Sequence, residues 1–265
     1  MSRRVSPPLP YFEVHQGDGP HLLMVHGMLS SRAQWLPNLA ALRQVATPVV
    51  VELFGHGRSP SPRESQAYRP TAYVTAFETI RKRLGVERWL LLGQSLGAAL
   101  TLRYALDLPQ HCQAHIMTNS NSAFADQAWT DRVRDDMRRF EAAVARLGMA
   151  AVERMPVHPA RSRNLEPEIK AALVADAALH DPRGIALTGA QTATHSNLER
   201  LQDNRVTTLL LCGTRERRFA PARARAQARM KSLSVIELEA GHAVNLEAPH
   251  AFNQACIRFI KETSS

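Results

Sequence analysis

The chain has 265 residues, 45% of them hydrophobic, with a formal net charge of +9 at pH 7, a size suited to one large α/β domain or one domain with an insertion. No run approaches ~18 consecutive apolar residues, which excludes a transmembrane helix and leaves no expected membrane partner. Three widely spaced cysteines (Cys112, Cys212 and Cys256) exclude a disulfide framework.

The N-terminus carries the pair Arg3-Arg4 but no apolar core after it, so no leader is expected and a cytoplasmic location is the default. Strand-like and helix-like segments then alternate. HLLMVHG (21–27), TPVVVEL (47–53), RWLLLGQ (88–94) and AHIMTN (114–119) are apolar runs of strand length. Between them, TAYVTAFETIRKRLG (71–85) spaces Val74, Phe77, Ile80 and Leu84 as a helix face. Continuously apolar strands separated by helices predict an α/β fold with a mostly parallel central sheet covered on both faces. The pattern changes at 121–200. Val133, Met137, Phe140, Val144 and Leu147 mark a long helix ended by Gly148, and further helical segments follow near 166–180 and 184–202. No strand is expected there, so residues 1–120 and 201–265 form the core and 121–200 a helical insertion. Strands return at VTTLLLCG (206–213) and SVIELEAG (234–241), and a helix closes the chain.

Charge does not identify a partner by its total. Residues 121–200 hold 11 basic and 11 acidic side chains, so the excess lies in the flanks. No nucleic-acid motif or aromatic interleaving accompanies it, and nucleic acid is not an expected partner. Residues 215–231 hold seven basic side chains against Glu216 alone. A solvated helix face is the simpler reading; a rim attracting an anionic substrate or an acyl carrier is the functional one. His111, Cys112 and His115 lack further ligands nearby and read as a helix end with solvated histidines, so no metal is expected. Cys212, inside an apolar run, reads as a buried small residue.

Chemistry concentrates at four places. Gly93-Gln94-Ser95-Leu96-Gly97 is G-x-S-x-G, set between an apolar strand and a small-residue helix. A sharp turn there exposes the Ser95 hydroxyl and aims the Leu96 backbone N–H at a developing oxyanion. A hydroxyl needs a base, and His242, just past the last strand, supplies one. The base needs an orienting carboxylate, and Glu216 is the first beyond the strand at 206–213. Met28, after His26-Gly27, offers the second oxyanion N–H, while His26 itself reads as structural. The order Ser95, Glu216, His242 is the one expected on this architecture.

Taken together, His26-Gly27, ELFGHGRS (52–59), the G-x-S-x-G elbow, CGTRE (212–216) and AGHAVNLEAP (240–249) resemble the α/β-hydrolase fold family over nearly the whole chain. The resemblance implies that residues 121–200 are a cap over the active site, and that no metal or organic cofactor is needed. It departs from the family at Glu216, where Asp is common. Some members place the acid after the preceding core strand instead, but that stretch here offers Asn119 and Asn121, with no carboxylate before Asp126. Phe54, in the turn after 47–53, reads as packing.

A serine nucleophile implies hydrolysis of a carboxylic ester or related acyl bond of a small to medium hydrophobic substrate. C–C bond hydrolysis of ring-cleavage products, a menaquinone-pathway-like lyase and a non-catalytic small-molecule receptor are the alternatives. The lyase branch usually carries an arginine four residues after the serine, where this chain has Ala99. Within the cap, Trp129, Met137 and Phe140 are the candidates for lining an apolar acyl pocket.

Overall fold

A computed structural model describes residues 8–264; the Arg3-Arg4 pair lies outside the described residues. Seven strands form one sheet: β1 (Phe12–Val14), β2 (His21–Val25), β3 (Thr47–Val51), β4 (Trp89–Gly93), β5 (Cys112–Thr118), β6 (Thr208–Gly213) and β7 (Leu233–Leu238). Their order across the sheet is β1-β3-β2-β4-β5-β6-β7. Every neighbouring pair is parallel except β1, which runs antiparallel to β3 and pairs Phe12 with Val51.

The helices in chain order are α1 (Leu36–Leu42), α2 (Pro70–Arg83), α3 (Leu96–Asp107), α4 (Gln127–Leu147), α5 (Met149–Glu153), α6 (Pro167–Ala177), α7 (Pro182–Thr188), α8 (Ala220–Arg229), α9 (Val244–Glu247) and α10 (Pro249–Ser264). A π-helical turn, Gly189–Ala193, continues α7. The link from β5 to β6 thus runs through α4 to α7, and no strand interrupts it among the described residues.

The strands are apolar throughout because both faces are covered. Side chains alternate across the pleat, so Leu23 and Val25 of β2 point one way and Leu22 and Met24 the other. The first pair packs with Val49, Val51, Leu91 and, from α2 and α3, Phe77 and Leu100. The second packs with Val50, Leu90 and Leu92, and with Leu42, Phe252 and Phe259 from α1 and α10. Parallel strands need such double cover.

One local expectation is corrected. Cys112 and His115 lie on β5, not at a helix end, and both are buried. The His115 ring bonds Thr101 through Nε2 at 3.0 Å, and burial pushes its pKa down to about 3, leaving the ring neutral. Among the described residues no three metal-ligating side chains gather, and no helix is long and apolar enough to cross a membrane.

The sheet's topology places the chemistry. Four neighbouring strands, β4, β5, β6 and β7, run in one direction. Their carboxyl ends lead directly into Ser95, Asn119, the turn of Glu216 and the loop of His242. Sites form at this edge of parallel sheets because the connecting loops converge there.

Candidate active site

Strand β4 ends in a turn tight enough to hold Ser95 at φ 51°, ψ −112°. Ser95 and Leu29 are the only described non-glycine residues with positive φ. Such a conformation costs ~1–3 kcal/mol and persists only when its surroundings enforce it. They do so through the two glycines. A Cβ on Gly93 would lie 2.3 Å from the Thr101 hydroxyl oxygen, and one on Gly97 only 2.1 Å from the Val25 carbonyl oxygen. Helix α3 therefore sits against β2 and β4 at a distance only glycine allows. Leu96 opens α3, and the first N–H groups of a helix have no carbonyl one turn back.

The Glu216 turn follows β6 and the His242 loop follows β7. The His242 ring meets Glu216 Oε1 through Nδ1 at 2.9 Å. A carboxylate can only accept, so Nδ1 carries the proton and Nε2 keeps its lone pair. The other carboxylate oxygen, Oε2, accepts a hydrogen bond from the Asn119 side-chain amide. Asn119 is fully buried, and its Oδ1 accepts from the Gly213 N–H at 3.2 Å. Burial pushes the Glu216 carboxyl up, but the hydrogen bond and charge of His242, together with the Asn119 bond, outweigh it and hold the pKa below the ordinary value.

Arg215, next to this acid, turns away and pairs with Glu247 at 3.0 Å. Glu247 also accepts from the Gly241 N–H at 2.8 Å and the Ala243 N–H at 3.2 Å, gripping the backbone on both sides of His242. This bracket is absent from the sequence reading, although Glu247 stands in the same AGHAVNLEAP stretch.

Ser95 and His242 line one cavity of about 280 Å³, together with Met28. Its walls come from Leu29, Gln94 and Leu246 of the core and from Pro156, Val157 and Leu165 of the β5–β6 link. Trp129, Met137 and Phe140 do not line it. Phe140 packs with Val144, Val152 and Ile185 inside the helical segment. Met137 lies against the α-carbon of Gly189, and Trp129 sits half-buried at the start of α4. The amphipathic face of α4 is consumed by packing onto α5 and α7, so the irregular stretch from Pro156 to Leu165 and α6 cover Ser95 instead. No lysine or arginine lines the cavity.

Two buried histidines shape the neighbouring loops. His26 Nε2 accepts the Leu53 N–H at 3.0 Å and its Nδ1 donates to the Gly27 carbonyl at 2.7 Å. His56 Nε2 accepts the Leu29 N–H at 3.2 Å. Burial pushes His26 down to about 3 and His56 well below the usual imidazole value, so both rings stay neutral and act as fixed hydrogen-bond parts. Phe54 is buried against Tyr68 and Tyr73. Within the basic run, Arg223 pairs with Glu237 and Arg225 with Asp126. Cys212 is buried, its thiol pushed up to about 12 by desolvation.

Comparison with known proteins matches residues 20–249 to the model of the alpha/beta hydrolase fold family. Uncharacterized Mycobacterium proteins share 30% identity over 133 residues, 47% of this chain and 38% of theirs, so the chain spans about two fifths of the length of those curated relatives. A Bacillus subtilis protein named "Putative 2-succinyl-6-hydroxy-2,4-cyclohexadiene-1-carboxylate synthase" is 24% identical over 90% of this chain and 89% of its own. The structure of MenH from S. aureus superposes with a TM-score of 0.83 at 18% identity, covering 96% of this chain and 99% of that one. A thermophilic esterase from Thermogutta terrifontis (malate bound) gives a TM-score of 0.82 at 19% identity, covering 99% and 97%. At these identities the structural likeness speaks for the fold. With the family model spanning six of the seven strands, the elbow and the His242 loop, the chain belongs to the α/β-hydrolase fold family.

Proposed function

We propose that the protein is a serine hydrolase that cleaves a carboxylic ester, or a related acyl bond, of a compact and largely apolar substrate through an acyl-enzyme. One observation carries this reading: Ser95, held in a strained elbow, opens onto the same cavity as His242, whose Nδ1 is tied to a buried-side carboxylate. With Nδ1 protonated, Nε2 is the basic nitrogen. It takes the Ser95 proton as Oγ attacks the carbonyl carbon, and returns that proton to the departing alcohol oxygen. The oxyanion of the tetrahedral intermediate takes the backbone N–H groups of Leu96 and Met28. Water, activated by the same nitrogen, then releases the acid. Glu216 stabilises the imidazolium without itself taking a proton.

The cavity supports the substrate class. At about 280 Å³ it lies at the small end of ligand pockets, and its walls are mainly Met28, Leu29, Pro156, Val157, Leu165 and Leu246. A second reading, the lyase, is favoured by the Bacillus subtilis relative, which matches over 90% of the chain. Against it stand Ala99 at the position four residues after Ser95 and a cavity without any cation to receive the carboxylate in that relative's name.

The test is labelling of the full chain with a fluorophosphonate, followed by turnover of short- and medium-chain p-nitrophenyl esters. Wild-type protein is expected to label at Ser95 and to turn over the esters. Ser95→Ala should keep the fold and lose a factor of roughly 10³ or more in rate. Ester turnover retained in Ser95→Ala would remove the mechanism; labelling without ester turnover would favour the lyase or a receptor.

A further inference from the structure

A second cavity, of about 670 Å³, shares no lining residue with the one at Ser95. Three helices and the π-helical turn meet around it. Arg69 stands at the start of α2, Arg103 on α3, and Arg134 and Arg138 on α4; Glu141 is the only carboxylate in its wall, and His195 closes the end beyond the π-turn. Four arginines thus line one concavity from three separate elements.

Their own pairing does not explain the convergence. Arg103 meets Asp107 at 2.6 Å, Arg134 meets Asp131 at 2.7 Å and Arg138 meets Asp135 at 3.1 Å. Each is a same-helix pair whose acid lies outside the cavity wall; the Arg134 and Arg138 pairs are exposed and contribute little, and the half-buried Asp107 is shared between Arg103 and Arg200. Arg69 has no ion pair among the described residues. It also sits at the positive end of a 14-residue helix that has no acid in its first turn and no side-chain cap. A cation is disfavoured there by the helix dipole. Arg134 and Arg138 face each other at the i,i+4 spacing, where like charges repel. His195, exposed at the end of the cavity, registers the same field. Desolvation first, with the charges of Arg69, Arg103 and Arg134, outweighs its hydrogen bond to the Gln191 backbone and holds its pKa below the ordinary imidazole value.

We infer that this cavity is a binding site for a phosphorylated small molecule, its phosphate groups taken by Arg69, Arg103, Arg134 and Arg138. Guanidinium groups match phosphate oxygens in bidentate fashion, and a multiply charged anion relieves the repulsion among them. The space is larger than a phosphate alone needs, leaving room for an organic part beside Thr71, Gln191 and Thr194. The site is independent of the chemistry at Ser95.

Calorimetric titration of the full chain at low salt with pyrophosphate, ADP and adenosine tests this. Pyrophosphate and ADP are expected to bind, adenosine not. ADP binding more tightly than pyrophosphate assigns the site to an organic phosphate; equal affinity assigns it to the free anion. Arg69→Ala combined with Arg134→Ala should weaken pyrophosphate roughly tenfold or more, whereas Arg217→Ala with Arg218→Ala should leave it unchanged. Bound pyrophosphate should also raise the His195 titration midpoint in proton NMR. Should the double variant lose its folded circular dichroism, the exposed single change Arg69→Gln and the His195 signal decide. Absence of binding, binding of adenosine alone, or affinity undiminished by loss of Arg69 would overturn the assignment.

Discussion

Replacing Asn119 by alanine removes one side chain from the support of Glu216 and touches neither Ser95 nor His242. In the wild type the Asn119 amide donates to Glu216 Oε2 while its carbonyl oxygen accepts from the Gly213 N–H. A hydrogen bond to an ionised group is worth about 1.5–3 kcal/mol, and a buried N–H left without a partner costs about 1–3 kcal/mol. Asn119→Ala should therefore lose roughly 2.5–6 kcal/mol of stability, read as a lower midpoint in urea. If the Asn119 bond holds Glu216 in place for the imidazolium that forms only in the transition state, ester turnover at pH 7 should fall roughly tenfold to hundredfold, with KM little changed. The pH dependence carries the sign. Glu216 has a depressed folded-state pKa, so its stabilising contribution is present above the ordinary carboxyl value and lost as pH falls through the depressed one. Without the Asn119 bond the depression shrinks. That contribution is smaller at neutral pH, and any acid limb of kcat set by Glu216 moves to higher pH. A variant with wild-type turnover, stability and acid limb would refute the role given to Asn119.

Other expectations are more direct. Glu216→Gln should cost roughly 10²–10⁴ in turnover with stability little changed, whereas Asp126→Asn should be nearly silent in rate and within about 1 kcal/mol in stability. Asp126 caps α4 by accepting the Trp129 N–H and pairs with Arg225, and asparagine caps as well as aspartate; the reverse pattern in steady-state assays would move the acid. Gly97→Ala should destabilise by about 3 kcal/mol or more, because its Cβ would lie 2.1 Å from the Val25 carbonyl oxygen, and an unchanged thermal midpoint would contradict the close approach of α3. Glu247→Gln should lower kcat roughly tenfold by loosening the grip on the Gly241 and Ala243 amides, and a purely KM effect would argue against it.

How much of this was legible in the sequence depended on whether a signal was local. Ser95 announces itself because a turn between strand and helix imposes glycines at fixed offsets. The strands of the parallel sheet were readable because continuous apolarity marks burial on both faces. Strand β1 was not: three residues, half-buried or exposed, pair only with the edge of β3, and so short a run carries no period. Asn119 was read only as a missing acid; its role as the partner of Glu216 depends on β5 and β6 being neighbours, which residues 97 positions apart do not reveal. The cavity wall escaped for the opposite reason. The periodic face of α4 attracted the pocket assignment, whereas Pro156 to Leu165, without helical or strand period, lies over Ser95. His115 was misplaced because two histidines and a cysteine in five residues look polar, although strand geometry buries Cys112 and His115 and Thr101 satisfies one ring nitrogen.

The position of β7 at the sheet's border gives the molecule an uneven resistance to unfolding. This strand has one neighbour, β6, and most of its residues are half-buried or exposed, whereas β4 is buried along its whole length. Ser95 thus hangs from a fully buried strand and His242 from one of the least protected. Border segments of this kind open by sub-global fluctuations far below the free energy of complete unfolding. In mild denaturant the last strand and the His242 loop should detach while the elbow remains assembled. Amide exchange should then show Leu233–Leu238 unprotected before Trp89–Gly93, with catalytic competence following the former.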